Sequence, residues 1–154
     1  MKEHQEDIKL EFVEVSGTQN QIELLYKLLD ERKYSISHSI MPSFNEHEEF
    51  VKHNPYRYWF LIYLSEEILG NFYIQFDNSI GLNIKDKYYS YIVEVVHFIE
   101  RNFKPNKELK SKVAPYFSIN VPYTNIELRK LLNEIKLTPI QCTYRINTDD
   151  KNCQ

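Results

Sequence analysis

Glycine is scarce: three of 154 residues. No Walker-type glycine loop is present, so the usual sequence mark of a nucleotide-triphosphate site is missing. Cysteine is rarer still. Cys142 and Cys153 have no metal-ligand spacing, and a disulfide framework needs more of them and usually a signal peptide. No His/Cys/Asp cluster has the spacing of a metal centre, so no metal is expected. No Ser-His-Asp grouping stands out. The first fifteen residues contain Glu3, Glu6, Asp7 and Glu11, which is not a secretory leader. No apolar run approaches the roughly 18 residues of a membrane span. The cytoplasm is the expected compartment. The net charge of −3 leaves no basic footprint for nucleic acid and no attraction to an anionic membrane surface.

What is present is an ordinary soluble balance, 42% hydrophobic and 27% charged. A chain of this length should bury about two-thirds of its unfolded surface without staples. One domain is expected, with a core at 8–146 and polar tails at 1–7 and 147–154. The aromatic share is 14%, with twelve tyrosines. Tyrosines suit half-buried strands. They also line grooves for flat or polar ligands, and their surplus permits a homodimer.

The chain is organised around residues 59–100. WFLIYL at 59–64 is an apolar run of strand length, and 65–67 breaks it. Residues 68–76 are rich in aromatic and β-branched side chains. Asp77, Asn78 and Ser79 are turn residues, and 80–84 is a third short strand. From 88 to 102 the period changes: Ile92, Val95, Val96 and Ile99 mark one helix face. A phosphate could sit at the start of that helix, where N–H groups lack partners.

Before this stretch, 8–15 reads as a strand. Thr18 and Gln21 have capping-box spacing for a helix ending near residue 33, with Glu31, Arg32 and Lys33 as its solvated end. Residues 34–42 are irregular. Ser43 and Glu46 form a second capping box for a helix over 44–53, stopped by Asn54 and Pro55. The strands at 57–64, 68–76 and 80–84 should form an antiparallel meander. Gly81 inside the third marks a bulge or a close approach. After a short turn at 106–112, 116–121 is a short strand. Thr124 and Glu127 form a third capping box for a helix carrying Leu128, Leu131, Leu132 and Ile135. Residues 139–146 alternate and read as a final strand. The order is β-α-α-β-β-β-α-β-α-β, an α/β protein with a mixed sheet. Such sheets bind ligands where strands part near their carboxyl ends.

That order resembles the GNAT superfamily of N-acetyltransferases over residues 8–146. Three local features carry the resemblance. LGN at 69–71 lies in a central hairpin. FSINV at 117–121 is followed by NIELRKLL at 125–132. EHE at 46–48 with YWFLI at 58–62 is similar to members that acetylate nucleotide-linked amino sugars. The resemblance implies that strands four and five splay and that acetyl-CoA lies in the gap as co-substrate. It implies that the backbone of Leu82, Asn83 and Ile84 meets the thioester, that Lys85, Lys87, Tyr89 and Ser90 lie at the pyrophosphate, and that Asn120 and Asn125 hold the pantetheine arm.

Three departures are evident, one of them Lys136 and Leu137 where the family has Gly-Phe after the last helix. The family's R/Q-x-x-G-x-G/A loop is KDKYYSYI here, at 85–92, without a glycine. Its tyrosine acid falls on Leu132, and Tyr123 is the candidate substitute. The resemblance therefore implies acetyl transfer to a small amine; the alternative is a GNAT-fold protein that has lost catalysis and binds a ligand or partner. His47, beside Glu46 and Glu48, is a candidate base or substrate contact, although a solvated helix histidine is the ordinary reading. His38 could meet a sugar or phosphate, or serve as a local loop hydrogen bond. His97 reads as structural, and His53 as a helix end. Arg57 and Trp59 could face a nucleotide diphosphate, or simply form the entry to a strand.

Overall fold

The computed structural model describes residues 9–35 and 40–146. One five-stranded sheet runs β1 (Leu10–Glu14), β2 (Tyr58–Leu64), β3 (Glu67–Ile74), β4 (Ser79–Ile84) and β5 (Ser118–Asn120) in spatial order. All neighbours are antiparallel except β4 and β5, which are parallel. The helices are α1 (Gln19–Asp30), α2 (Phe44–Lys52), α3 (Ile92–Asn102) and α4 (Ile126–Glu134). Within the described residues the mixed sheet and helix order match the sequence reading up to α4.

Strand alternation sorts the side chains into two cores. Ile62, Phe72, Ile74, Ile80 and Ile84 face α3 and α4, where Ile92, Val95, Ile99, Leu128 and Leu132 meet them. Trp59 and Leu61 face the other way, onto Ile22 and Leu25 of α1 and Val51 of α2. The first core is knitted by phenylalanines. Phe12 stacks on Phe98 at 3.7 Å, and Phe60 stacks on Phe72 at 5.4 Å.

Capping chemistry fixes the helix starts. The Thr18 side chain accepts from Gln21 N, and Gln21 Oε1 reaches back to the amides of Ser16 and Gly17. Ser43 and Glu46 make the full reciprocal box. In α4 the cap is Asn125, one residue later than expected: its side chain accepts from Leu128 N, so Thr124 and Glu127 do not form the third box.

Two further expectations are corrected. Residues 86–91 are a 3-10 helix (Asp86–Tyr91), and the α-helical register starts only at Ile92. Residues 139–146 make no ladder with any described residue. Ile140, Tyr144 and Ile146 stand 58%, 88% and 86% exposed despite their alternation. Without ladder bonds or burial, nothing offsets the entropy of ordering a strand there.

Asn78 sets the position of β5. It sits at positive φ (68°) in the β3–β4 turn and is fully buried. Its amide donates to the Asn106 and Ala114 carbonyls at 3.0 and 2.8 Å, and its oxygen accepts from Asn106 N. The segment between α3 and β5 is thereby pinned to the end of β4.

His47 lies inside this frame, not on its surface. It is 5% exposed, and its Nε2 is 2.9 Å from the Ile22 carbonyl, with the Tyr26 ring at 5.1 Å. Burial holds its pKa below the ordinary 6.5, because a charged imidazole is poorly solvated there. The unfolded chain therefore takes up the proton first. Stability is complete above about pH 6.5 and is lost as pH falls toward the folded value. Melting temperature should drop on acidification below about pH 6.5, and less so in His47→Gln. Parallel profiles for the two proteins would contradict this placement.

Candidate active site

β4 and β5 are paired only at Ser79↔Ser118, Ile80↔Ile119 and Gly81↔Asn120. Beyond that point they part. The phase of the β3–β4 ladder shows what this leaves open. Gln75 N donates to Ser79 O and Lys85 N to Leu69 O, so odd-numbered β4 residues bond β3 and even-numbered ones turn toward β5. The Leu82 N–H makes the last bond to β5, on the Asn120 carbonyl, and the Leu82 C=O and both backbone groups of Ile84 face the side that β5 has left. A cleft of about 450 Å³ opens there.

One wall of the cleft is residues 81–84 of β4. The opposite wall is Asn120, Pro122 and the start of α4. Asn125 is buried, and its Nδ2 donates to the Tyr89 hydroxyl at 2.9 Å, which ties the tip of α4 to the 3-10 helix. The end of α1 and the residues after it form the rim.

Charge concentrates at the 3-10 end. Arg32, Lys33, Lys85 and Lys87 line the cleft against two carboxylates, Glu31 and Asp86. The lysines are already partnered: Lys85 with Glu31 at 3.6 Å, Lys33 with Asp86 at 3.2 Å and Lys87 with Glu67 at 3.2 Å. The hydrogen bond to Asp86 raises the Lys33 pKa. Asp86 also accepts the Lys87 backbone N–H. The chain thus places its own carboxylate where the 3-10 helix begins.

The expected site residues divide in two. Leu82, Asn83, Ile84, Lys85, Lys87, Tyr89, Asn120 and Asn125 all line the cleft. Ser90 is exposed and outside its lining. Tyr123 is 76% exposed, beneath the Arg129 guanidinium at 4.5 Å, and also outside the lining. His47 belongs to the α1–α2 contact. Arg57 donates to the Lys104 carbonyl and lies over Tyr58. Trp59 is buried, with Nε1 donating to Asn71 Oδ1 at 3.1 Å. The His38 expectation falls outside the described residues.

Sequence reasoning missed the α1 end. Glu31, Arg32 and Lys33 read as a solvated helix end, yet they border the cleft. It also missed Tyr73 and Gln75 on β3. Gly81, a glycine inside a strand, was the one available signal.

No family model matches the sequence, and no curated protein matches it. Solved structures do match in shape, and two of them are these. One is described as a possible acetyltransferase from Clostridium difficile 630, at 10% identity and TM-score 0.50, covering 90% of this chain and 95% of that one. The other is an aminoglycoside acetyltransferase from an uncultured soil metagenomic sample, in complex with sisomicin, at 13% identity, TM-score 0.50 and the same coverages. With the forked β4–β5 pair, this likeness establishes a fold of the GNAT acetyltransferase type.

Proposed function

We propose that this chain is an acyl-CoA-dependent N-acetyltransferase acting on a small-molecule amine. The observation that carries the reading is the fork. The Leu82 C=O and the Ile84 N–H and C=O stand unpaired by β3 or β5 along one wall of a cleft. An amide-bearing arm such as pantetheine can bond there as a strand would. Acetyl-CoA supplies the activated acyl group. The free Leu82 C=O and Ile84 N–H serve that arm, and the fixed cleft supplies positioning. Excess cationic charge at the 3-10 end suits phosphates.

For the acceptor, the amino-sugar nucleotide suggested by residues 46–62 rests on sequence pattern alone. His47, Arg57 and Trp59 lie outside the cleft lining, so the acceptor class stays at small amines. The second reading, a fold that binds without turnover, draws on one observation: Asp86 and Glu31 already occupy the lysines that phosphates would use.

A thermal-shift titration tests the reading. Acetyl-CoA at 100 times its dissociation constant should add about 2.7 kcal/mol. Absence of a shift at cofactor concentrations of about 1 mM, the upper end of common KM values, would overturn it. Release of free thiol with a panel of amines then separates enzyme from binder. Lys85→Ala should weaken binding. Asp86→Ala should tighten it about threefold, within what an exposed charge pair provides, because a like charge leaves the phosphate end. Weaker binding by Asp86→Ala would place the phosphates elsewhere.

A further inference from the structure

An acyl transfer leaves a thiolate that needs a proton, and neither expected donor is placed to give one. Leu132 is an apolar core residue, and Tyr123 stands outside the cleft lining. The cleft holds another phenol. Tyr73, on β3, lies directly opposite Gly81 on β4. A Cβ at residue 81 would fall among the Cζ, Cε1 and Oη atoms of Tyr73. The ring therefore leans across β4 and carries its hydroxyl over the strand, and only a glycine leaves room for it. Gly81 is also the last β4 residue paired with β5. The Tyr73 hydroxyl thus sits at the vertex of the fork.

The vertex is where the reacting end of the co-substrate must lie. With phosphates at the cationic 3-10 end and the arm along residues 82–84, the thioester is the part left to reach Gly81. Tyr73 is held there by Tyr56, whose ring stacks on it at 3.8 Å and 8°. Burial, then the neighbouring Tyr73 hydroxyl, push the Tyr56 phenol up. Tyr56 accordingly stays protonated beside Tyr73.

We propose that Tyr73 is the acid that protonates the leaving thiolate. This rests on the acetyltransferase reading of the cleft. The amine nitrogen forms a bond to the thioester carbonyl carbon. The carbon–sulfur bond breaks, its electron pair goes to sulfur, and the Tyr73 Oη–H proton passes to that sulfur. The nitrogen's surplus proton leaves to water, and the Tyr73 phenolate regains one from water. The products are an amide and free CoA thiol, with no other reactant.

Tyr73→Phe tests this, since it keeps the ring over Gly81 and the stack on Tyr56. Three measurements on parent and variant decide it: acetyl-CoA binding by thermal shift, acetyl transfer to hydroxylamine as the probe amine, and the pH at which the thiolate absorption of bound CoA appears. The expected result is equal binding and about a hundredfold lower kcat with unchanged KM. The bound thiol should also titrate about one pH unit higher in the variant, because a donor to the thiolate is gone. Equal kcat, or equal thiol titration, in both proteins overturns the role of Tyr73 and leaves the cleft reading standing. A loss confined to KM overturns it too, as does a parent that binds acetyl-CoA but leaves hydroxylamine unacetylated. No binding by the parent overturns both this role and the cleft reading.

Discussion

Gly70→Ala should be the most damaging single-methyl change in the chain. A Cβ at residue 70 would clash with the Asn83 carbonyl oxygen and lie 2.8 Å from Ile84 Cα. Both are backbone atoms of β4, held in the ladder with β3, so no side chain can swing aside. Room can come only from prising the two strands apart next to the bulge at Ile62/Tyr63. Overpacking of this kind costs about 3 kcal/mol, a large part of the stability of a single domain. A denaturant midpoint within error of the parent would contradict the close approach. The same change moves Asn83 and Ile84, which wall the cleft, so any folded fraction should bind acetyl-CoA poorly.

Phe72→Ala should cost about 3–5 kcal/mol. Phe72 is fully buried and touches the rings of Phe12, Phe60, Phe98 and Phe103. Those rings come from β1, β2 and the end of α3. Truncation therefore leaves a cavity bordered by three elements that cannot all close inward. Chemical denaturation measures it. A loss below about 1 kcal/mol would mean that the cluster collapses freely, contrary to its stacked geometry.

Much of this was legible in the chain. The run at 59–64 and the aromatic strand after it gave the central meander, because alternation and turn residues are local signals. The strand at 80–84 was legible for the same reason, and the family resemblance is what pointed to residues 82–85 as a cleft wall. The burial of His47 is legible too. It shares the helix face of Phe44 and Val51 by spacing, and that face is the buried one. What stayed hidden depends on register. Nothing local places Tyr73 opposite Gly81, or brings the end of α1 to the loop after β4. The alternation at 139–146 shows the reverse failure. Its pattern is strand-like, but a pattern does not supply a partner edge.

The lysine–carboxylate contacts around the cleft have a consequence for ionic strength. In a groove of free cations, added salt competes only with the ligand, and affinity falls steeply. Here electrolyte also screens the internal pairs that an incoming phosphate has to displace. The two effects oppose each other, so affinity for an anionic ligand should decline gently as the buffer is made more concentrated.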